Sequence, residues 1–296
     1  MKKIVIKLGG SSLQDSQTLT QLTKLILNYK RQDAHVVIVH GGGPAINQAL
    51  KEKNISWQFI NGQRQTTPEM MSVIDDVLAN QINSQIVHSL NEAGIRSIGL
   101  SAADDHILLC TQASDELMQV GKIIHVDSHQ VEKILIWEDE PVCVIAPIGF
   151  DSSGKKYNIN ADWAAAQIAI AIDACELVYI TDQTGILDGK KKVLPMVTPR
   201  SLKKLISQGV IQNGMLTKVN TMLDALNHGV NCIQVVSSTE AALVGINQHH
   251  VGTKLIEDLK TKQGWNHDKE HKPRTIGTTR TKGHTERSNP TKIKCA

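Results

Sequence analysis

Lys7 is the first residue whose position suggests chemistry rather than packing. It stands within the apolar residues 4–8, which have the composition of a buried strand, and Gly9 and Gly10 follow it directly. A lysine in a buried strand is costly unless it reaches solvent or meets a negative group. Glycines at a strand end let the backbone approach a ligand and present N–H groups to it. The stretch therefore predicts either a lysine that reaches solvent or an anion-binding site.

A second glycine-rich turn, Gly41 to Gly43, follows the apolar run that starts at His35. Each turn alone is also typical of an ordinary strand end. In an open parallel sheet, however, ligands bind beyond the carboxyl ends of the strands. Two such turns therefore predict one shared crevice for an anion. The GxxxxGK[ST] phosphate loop and the GxGxxG dinucleotide pattern are both absent from the sequence, so any phosphate must be bound by another scheme.

Two further segments carry polar residues where helices are expected to begin. Asn158, Asn160 and Asp162 alternate just before an apolar helix; one of them could be a simple cap, but Asp162 is also well placed to pair with lysines. Residues 213–218 place Lys218 in the predicted first turn of another helix. A cation is unfavourable near a helix N-terminus, so Lys218 is either a solvated surface residue or a sign of bound phosphate.

Three more residues have either a functional or an ordinary structural role, and the sequence does not decide between them. Thr181 and Asp182 end a predicted strand, where they suit a nucleotide or a metal but also a plain turn. Arg64 is predicted to lie in a polar loop, where it is either solvated or a bidentate clamp for a substrate carboxylate.

The elements that position these residues alternate regularly along the chain. Buried β-rich runs alternating with helices predict a largely parallel sheet covered on both faces, an α/β fold. Strands are predicted to start near residues 3, 35, 95, 107, 120, 141 and 177, then near 231, with an edge strand near 252 and hairpins over 107–127 and around 188. Helices are predicted over 15–31, 44–53, 67–93, 158–174, 201–208 and 215–228.

Composition excludes some classes of protein. The 296 residues are 41% hydrophobic but only 3% aromatic, so the core must consist of Ile, Leu, Val and Ala. The sequence contains neither a run of about 18 apolar residues nor a signal-peptide pattern, and its five cysteines form no CxxC motif. We therefore expect a cytoplasmic protein with reduced thiols and no membrane span.

The net charge of +3 is unevenly distributed. Residues 260–296 contain ten Lys and Arg against three Asp and Glu, so residues 1–259 carry a net charge of −4. The body is therefore not expected to bind nucleic acid, whereas the sequence leaves the partner of the basic segment open. Residues 258–296, rich in Lys, Thr, Gly and His, are predicted to be a disordered tail after a domain that spans 1–257.

Taken in order, these motifs resemble those of the amino acid kinase family. The matching stretches are KLGG, VHGGGPAI, NGQRQT, GLSAAD, YNINAD, ITDQTGILDG and GMLTKV, distributed over residues 1–257. The resemblance implies a three-layer αβα sandwich around a mostly parallel sheet. It also implies an amino-acid lobe over about 1–174 and a nucleotide lobe over about 175–257.

The resemblance also implies a role for each candidate residue. Lys7 and Lys218 would contact the transferring phosphoryl group from opposite sides, and Asp162 would orient both lysines. The remaining roles are amide donors from Gly10, Gly42 and Gly43, a carboxylate clamp from Arg64, a substrate contact from Asn158, and a nucleotide pocket that includes Thr181, Asp182, Gly185, Asn213, Gly214 and Met215.

The implied reaction is the phosphorylation of the γ-carboxylate of N-acetyl-L-glutamate by ATP with Mg²⁺, a step towards arginine or ornithine. A homodimer is expected, because no helix precedes the first strand. The sequence departs from the family at Gln63, where leucine is common, and at Ala102 and Ala103, where a glycine is common. These departures lie near the expected substrate side, so they bear on the choice of acceptor, and a related kinase with another acceptor, such as an N-protected aminoadipate, stays an alternative. A non-catalytic nucleotide or amino-acid sensor is a separate alternative.

Overall fold

The computed structural model describes residues 1–14, 16–245 and 251–258, and a compact unit spans Met1–Glu257. Apart from Asp258, the predicted tail lies outside the described residues. The strands are β1 (Lys2–Leu8), β2 (Ala34–His40), β3 (Phe59–Ile60), β4 (Gln63–Arg64), β5 (Ser97–Ser101), β6 (Leu108–Gln112), β7 (Gly121–Val126), β8 (Val142–Ala146), β9 (Ile148–Phe150), β10 (Lys156–Asn158), β11 (Glu176–Thr181), β12 (Met196–Val197), β13 (Cys232–Ser237) and β14 (Thr253–Leu255).

Helices separate most of these strands, as the alternation predicted. They are α1 (Ser16–Lys30), α2 (Gly43–Glu52), α3 (Pro68–Asp75), α4 (Asn83–Glu92), α5 (His129–Leu135), α6 (Ala161–Ala171), α7 (Pro199–Ser207) and α8 (Asn213–Asn227), with a π-helical segment at Asp76–Ile82 and 3₁₀ turns at Ser12–Gln14 and Ala241–Leu243. None of the helices in the described residues has the length and apolar character required to cross a bilayer.

The main sheet has eight strands in the order β12-β14-β13-β11-β1-β2-β8-β5. The six strands from β13 to β5 are parallel, and β14 is antiparallel to β13. The chain continues from β1 to β2 on one side and returns as β11 on the other side, so the strand order reverses at β1. Ligands in open α/β sheets bind at such a switch point, beyond the carboxyl ends of the strands.

Side chains on the two faces of this sheet enter separate cores. One core contains Val5 and Val37 with apolar residues of α5, α6, α7 and α8, and the other contains Ile4 and Ile38 with those of α1 to α4. Successive strand residues point to opposite faces, so β1 and β2 must be apolar on both sides. The αβα sandwich that the resemblance implied is confirmed.

Two strand predictions were wrong in detail. The run that starts at Pro141 forms two strands, β8 in the main sheet and β9 in a second sheet of order β10-β9-β6-β7. Pro147 separates the two strands, because proline has no N–H to donate to a ladder. The predicted edge strand near 252 is β14, which lies inside the sheet because β12 pairs with its outer side. The predicted hairpin of β6 and β7 is confirmed.

The helix predicted over 67–93 is interrupted by its π-helical segment. Thr67 caps α3, since its Oγ1 accepts a hydrogen bond from Met70 N, and Pro68 occupies the first helical turn. The segment Asp76–Ile82 then follows with wider turns before α4 resumes. Single π turns inside helices occur frequently at functional sites, and this one packs directly against the second glycine turn.

Candidate active site

The two glycine turns face each other beyond the carboxyl ends of β1 and β2. A Cβ atom on Gly10 would lie 2.6 Å from Gly42 N and 2.8 Å from Gly43 N, so the backbones approach as closely as glycine permits. Gly43 is exposed, begins α2, and has open space at its Cβ position. The first N–H groups of a helix have no partners within the helix, so this turn can present donors to an anion.

Packing from the π-helical segment holds the second turn in place. A Cβ atom on Gly42 would lie 2.6 Å from both Ile82 Cδ1 and Leu78 Cδ2. Behind the turn, His40 is fully buried, with its Nε2 atom 3.3 Å from Asn83 Nδ2. Burial lowers the pKa of His40 to about 4, so the imidazole is neutral at pH 7 and Nε2 can accept from the amide.

Lys7, Asp162 and Lys218 meet on one side of the sheet. Lys7 Nζ lies 2.7 Å from Asp162 Oδ1, and Lys218 Nζ lies 3.0 Å from Oδ2 and 3.1 Å from Oδ1 of the same carboxylate. All three residues are buried. The Asp162 carboxylate therefore compensates the charge of Lys7 in its buried strand.

Local structure explains how Asp162 reaches this position. Asn160 is the N-cap of α6, and its Oδ1 accepts from Asp162 N at 2.9 Å and Trp163 N at 3.3 Å. Asp162 thus lies in the first turn, where an acidic group is favoured by the helix dipole. The prediction that Asn158 begins this helix was wrong, because Asn158 belongs to β10 and the helix begins at Ala161.

Lys218 lies one turn deeper in its helix than predicted. Since α8 begins at Asn213, Lys218 is in the second turn, and its ammonium lies 4.9 Å from the centroid of the Tyr179 ring. Tyr179 Oη is 2.8 Å from Thr221 Oγ1, which donates to Lys218 O. The prediction that Lys218 lies in the first turn of its helix was therefore wrong. Lys218 nevertheless reaches Asp162.

The charges of this cluster respond to burial and to each other. Burial alone would raise the pKa of Asp162, but Lys7 and then Lys218 outweigh it and bring the pKa to about 2. Burial and then repulsion from Lys7 lower the pKa of Lys218 to about 8, although Asp162 opposes the change. Two cations and one anion leave a net positive charge, so the cluster can receive an anion.

A cavity of about 560 Å³ opens in front of this cluster. Its wall includes both glycine turns and residues from α2, from the β3–β4 hairpin and from the start of α6. The candidate residues that it brings together are Lys7, Gly10, Gly42, Gly43, Arg64, Asn158, Asp162 and Gly214.

The prediction that Arg64 lies in a polar loop was wrong, because Arg64 belongs to the short strand β4. Asn61 and Gly62 have φ angles of 50° and 79°, which suit the two-residue turn of a hairpin, and this turn pairs Arg64 with Phe59. Burial lowers the pKa of Arg64 to about 10. Its Nη1 atom is buried and has no hydrogen-bond partner among the described residues.

Asn158, at the end of β10, lines the same cavity as this arginine. Its Nδ2 atom donates to Thr66 Oγ1 at 3.1 Å, and its backbone N–H donates to Gln119 O. These contacts fix the side chain on the wall of the cavity.

The other candidates for the nucleotide pocket do not line this cavity. Thr181 is buried at the carboxyl end of β11 and its Oγ1 donates to Asp182 at 3.0 Å. Gly185 has a φ angle of 150°, and its Cβ would lie 2.7 Å from Thr253 Oγ1. Asn213 begins α8 with a φ angle of 50°, and Met215 is half-buried against the core. Their role in binding nucleotide stays a prediction.

Sequence reasoning assigned no role to three residues beside Arg64. Asn47 accepts a hydrogen bond from its Nη2 atom, and the rings of Phe59 and Trp57 lie 4.8 and 5.7 Å from its guanidinium carbon. Asn47 directly follows the stretch VHGGGPAI, but no local pattern shows that it reaches Arg64. Aromatic residues are rare in this chain, so two of them shortly before Arg64, Trp57 and Phe59, could have been recognised as candidates from the sequence.

Comparison with known proteins agrees with this geometry. The sequence profile of the amino acid kinase family matches residues 2–237. The chain belongs to the amino acid kinase family. Among its relatives in that family is an acetylglutamate kinase of Pseudothermotoga lettingae, 37% identical over 262 residues, or 86% of this chain and 92% of the relative. Another, from Halalkalibacterium halodurans, is 38% identical over 266 residues, or 88% of this chain and 98% of the relative.

Solved structures related to this family member share its fold. The crystal structure of smu.665 from Streptococcus mutans has a TM-score of 0.75 at 27% identity, covering 86% of this chain and 99% of that one. Carbamate kinase from Giardia has a TM-score of 0.64 at 15% identity, covering 86% and 98%. The second likeness concerns the fold alone.

Proposed function

We propose that this protein uses ATP to phosphorylate the γ-carboxylate of N-acetyl-L-glutamate, which yields N-acetyl-L-glutamyl 5-phosphate and ADP. The observation that carries the proposal is the buried cluster in which Asp162 binds Lys7 and Lys218, beside a cavity whose wall includes Arg64. The relatives described above, which carry the name acetylglutamate kinase and align with most of this chain, support the choice of acceptor.

The chemistry requires no general base from the protein. A γ-carboxylate has an ordinary pKa of about 4.3 and is already ionised at pH 7. Asp162, with a pKa of about 2 and two ammonium partners, is too weak a base to accept a proton. Its function is to hold both lysines, and this agrees with a reaction in which positioning and charge neutralisation provide the rate enhancement.

In the proposed reaction, a carboxylate oxygen of the acceptor attacks the γ-phosphorus of ATP. A new P–O bond forms to the acceptor, the bond to the β-phosphate oxygen breaks, and ADP leaves with that electron pair. Lys7 and Lys218 neutralise the charge on the transferred group from opposite sides. Backbone N–H groups of Gly10, Gly42 and Gly43 contact the phosphoryl oxygens or the acceptor, as anion-binding turns do.

The residues present fit ATP as an anion better than they fit a resident metal. Two lysines and the free N-terminus of α2 favour phosphate, whereas the described residues contain no group of three His, Cys, Asp or Glu side chains that could hold a cation. Mg²⁺ would therefore enter with ATP, where it offsets the charge of the phosphates. Thr181, Asp182, Gly185, Asn213, Gly214 and Met215 are proposed to form the wall of the nucleotide pocket.

Arg64 favours an acceptor that carries a second carboxylate. A guanidinium offers paired N–H groups that match a carboxylate. Arg64 lines the cavity, and its buried Nη1 atom has no hydrogen-bond partner among the described residues. We assign the α-carboxylate of the acceptor to Arg64 and its acetamido group to Asn158. We further propose that residues of about 1–174 form the acceptor lobe and those of about 175–257 the nucleotide lobe. The protein is proposed to be a homodimer and to be located in the cytoplasm.

The decisive experiment measures ADP release with Mg·ATP and N-acetyl-L-glutamate, with hydroxylamine present to trap an acyl phosphate as the hydroxamate. Glutamate, N-acetyl-L-aspartate and aminoadipate serve as comparison acceptors. Hydroxamate from N-acetyl-L-glutamate alone supports the proposal. Turnover only with another acceptor, or none with any acceptor despite ATP binding, contradicts it.

A further inference from the structure

Asn47 connects α2 to Arg64, the residue proposed to bind a carboxylate of the acceptor. Its Oδ1 atom accepts a hydrogen bond from Nη2 of Arg64, and its side chain lies on the wall of the cavity. Asn47 lies in the second turn of α2, whereas Arg64 lies in β4 of the hairpin. The contact therefore links two elements that hold opposite ends of the proposed acceptor.

Two aromatic rings restrict the same guanidinium. Its central carbon is 4.8 Å from the centroid of Phe59 and 5.7 Å from that of Trp57. The chain contains only nine aromatic side chains, so two at one arginine represent a marked concentration. A planar guanidinium is attracted to aromatic faces, and these contacts define its plane without using its N–H groups.

The two terminal nitrogens of Arg64 differ in their hydrogen bonding. Nη2 donates to Asn47, while Nη1 is buried and has no partner among the described residues. A buried charged donor without a partner is costly, and the arrangement persists because the aromatic rings and Asn47 fix the side chain. Arg64 itself lines the cavity that holds the glycine turns.

We infer that Asn47 is a positioning residue that holds the Arg64 guanidinium at the cavity wall, in the orientation that binds the carboxylate of the acceptor. The inference rests on the proposed function for the chemical class of the acceptor, an N-acylated dicarboxylic amino acid. Asn47 is neutral, so it holds the arginine without cancelling the positive charge that attracts the carboxylate. An aspartate at this position would accept the same hydrogen bond but would compete with the substrate.

The test is a steady-state comparison of Asn47→Ala, Arg64→Ala and the double variant with the natural sequence. The hydroxamate assay gives kcat and KM for N-acetyl-L-glutamate, and ADP release gives KM for ATP. Gln48→Ala is the matched control, because Gln48 has the same amide, is adjacent in α2, and is exposed with its side chain bonded to Glu52.

For Asn47→Ala we expect KM for N-acetyl-L-glutamate to rise about 10- to 150-fold, which is what a lost hydrogen bond to a charged group costs. KM for ATP and kcat should change less than about twofold, since neither involves binding of the acceptor carboxylate. In the Arg64→Ala background the same change should have no further effect, because its only route to the substrate is Arg64.

Two results would overturn the inference. One is an unchanged acceptor KM in a folded Asn47→Ala protein, and the other is an equal additional rise in the Arg64→Ala background, which would show that Asn47 acts independently. If Asn47→Ala unfolds, Asn47→Leu replaces it, since leucine preserves the volume but accepts no hydrogen bond. Turnover by the natural sequence tests the proposed function separately, so failure of one is distinguishable from failure of the other.

Discussion

Lys7 Nζ and Asp162 Oδ1 are 2.7 Å apart, although Lys7 lies in the first strand and Asp162 in a helix of the second half of the chain. β1 is the central strand between β2 and β11, and α6 packs on its face with Ala164, Ala165 and Ala166 buried. The small alanine side chains allow the helix to approach the sheet closely. The pair is thus a consequence of tertiary packing around the switch point.

Lys7→Ala should lower kcat much more than it raises KM for the acceptor. In the proposed reaction the ammonium neutralises charge that develops on the transferred group, so its contribution increases in the transition state. We expect kcat to fall by about 100- to 1,000-fold, the loss typical for one such group. Steady-state kinetics with the hydroxamate assay measure both constants. A large rise in the acceptor KM at unchanged kcat would contradict the assigned role.

Asp162→Asn should destabilise the protein in a pH-dependent way. The folded pKa of about 2 lies below the ordinary value of about 3.9. The stabilisation is therefore fully present above pH 4 and is lost as the pH falls through about 2. At pH 7 the loss in free energy of unfolding should be about 2–3 kcal/mol.

Urea unfolding of both proteins between pH 2 and pH 7 provides the measurement for Asp162. The difference between the natural protein and the Asn variant should shrink as the pH falls below 4. A difference that stays constant over this range would show that the carboxylate is not held in its ionised form by the two lysines.

The pH dependence of activity should show the loss of positive charge on Lys218. Its folded pKa of about 8 lies below the ordinary value of about 10.4. The free enzyme therefore loses this positive charge as the pH rises through about 8, and kcat/KM for ATP should fall there. Bound phosphate favours the charged form, so the alkaline limb of kcat should lie at higher pH. A kcat/KM profile that is flat to pH 9.5 would contradict this.

The same lowered pKa makes stability rise with pH, as the lowered pKa of Asp162 does, but over a higher pH range. Between pH 8 and about 10.4 the unfolded chain binds more protons at Lys218 than the folded chain does, so this group makes folding more favourable as the pH rises. Replacing Lys218 by Met should remove this contribution. Denaturant titrations of Lys218→Met and the natural sequence at pH 7.5 and pH 10 would measure the change.

Gly10→Ala should destabilise the fold, while Gly43→Ala should not. A Cβ on Gly10 would overlap Gly42 N at 2.6 Å, whereas a Cβ on Gly43 meets nothing within 4 Å. Overpacking of this kind costs about 1–3 kcal/mol. Thermal unfolding of both variants makes the comparison, and equal melting temperatures would show that the two glycine turns can separate without cost.

Periodicity and composition were sufficient to predict the architecture. Runs such as residues 4–8 and 36–39 are apolar without alternation, which is possible only for strands covered on both faces, and the two cores confirm this. Lys7 was recognisable because a charged residue is rare in such a run. Glycines at two strand ends were recognisable because the carboxyl ends of parallel strands share one edge.

The partners of these residues depended on the tertiary structure. No local pattern shows that Asp162 binds both lysines, that Lys218 lies in the second turn of α8, or that Arg64 is buried between aromatic rings and Asn47. Hydrophobic periodicity records which face of an element is buried, but it carries no information on which distant side chain lies opposite. The sequence alone thus determined the class of fold and the residues capable of chemistry. Long-range packing at the switch point decided which of them act together.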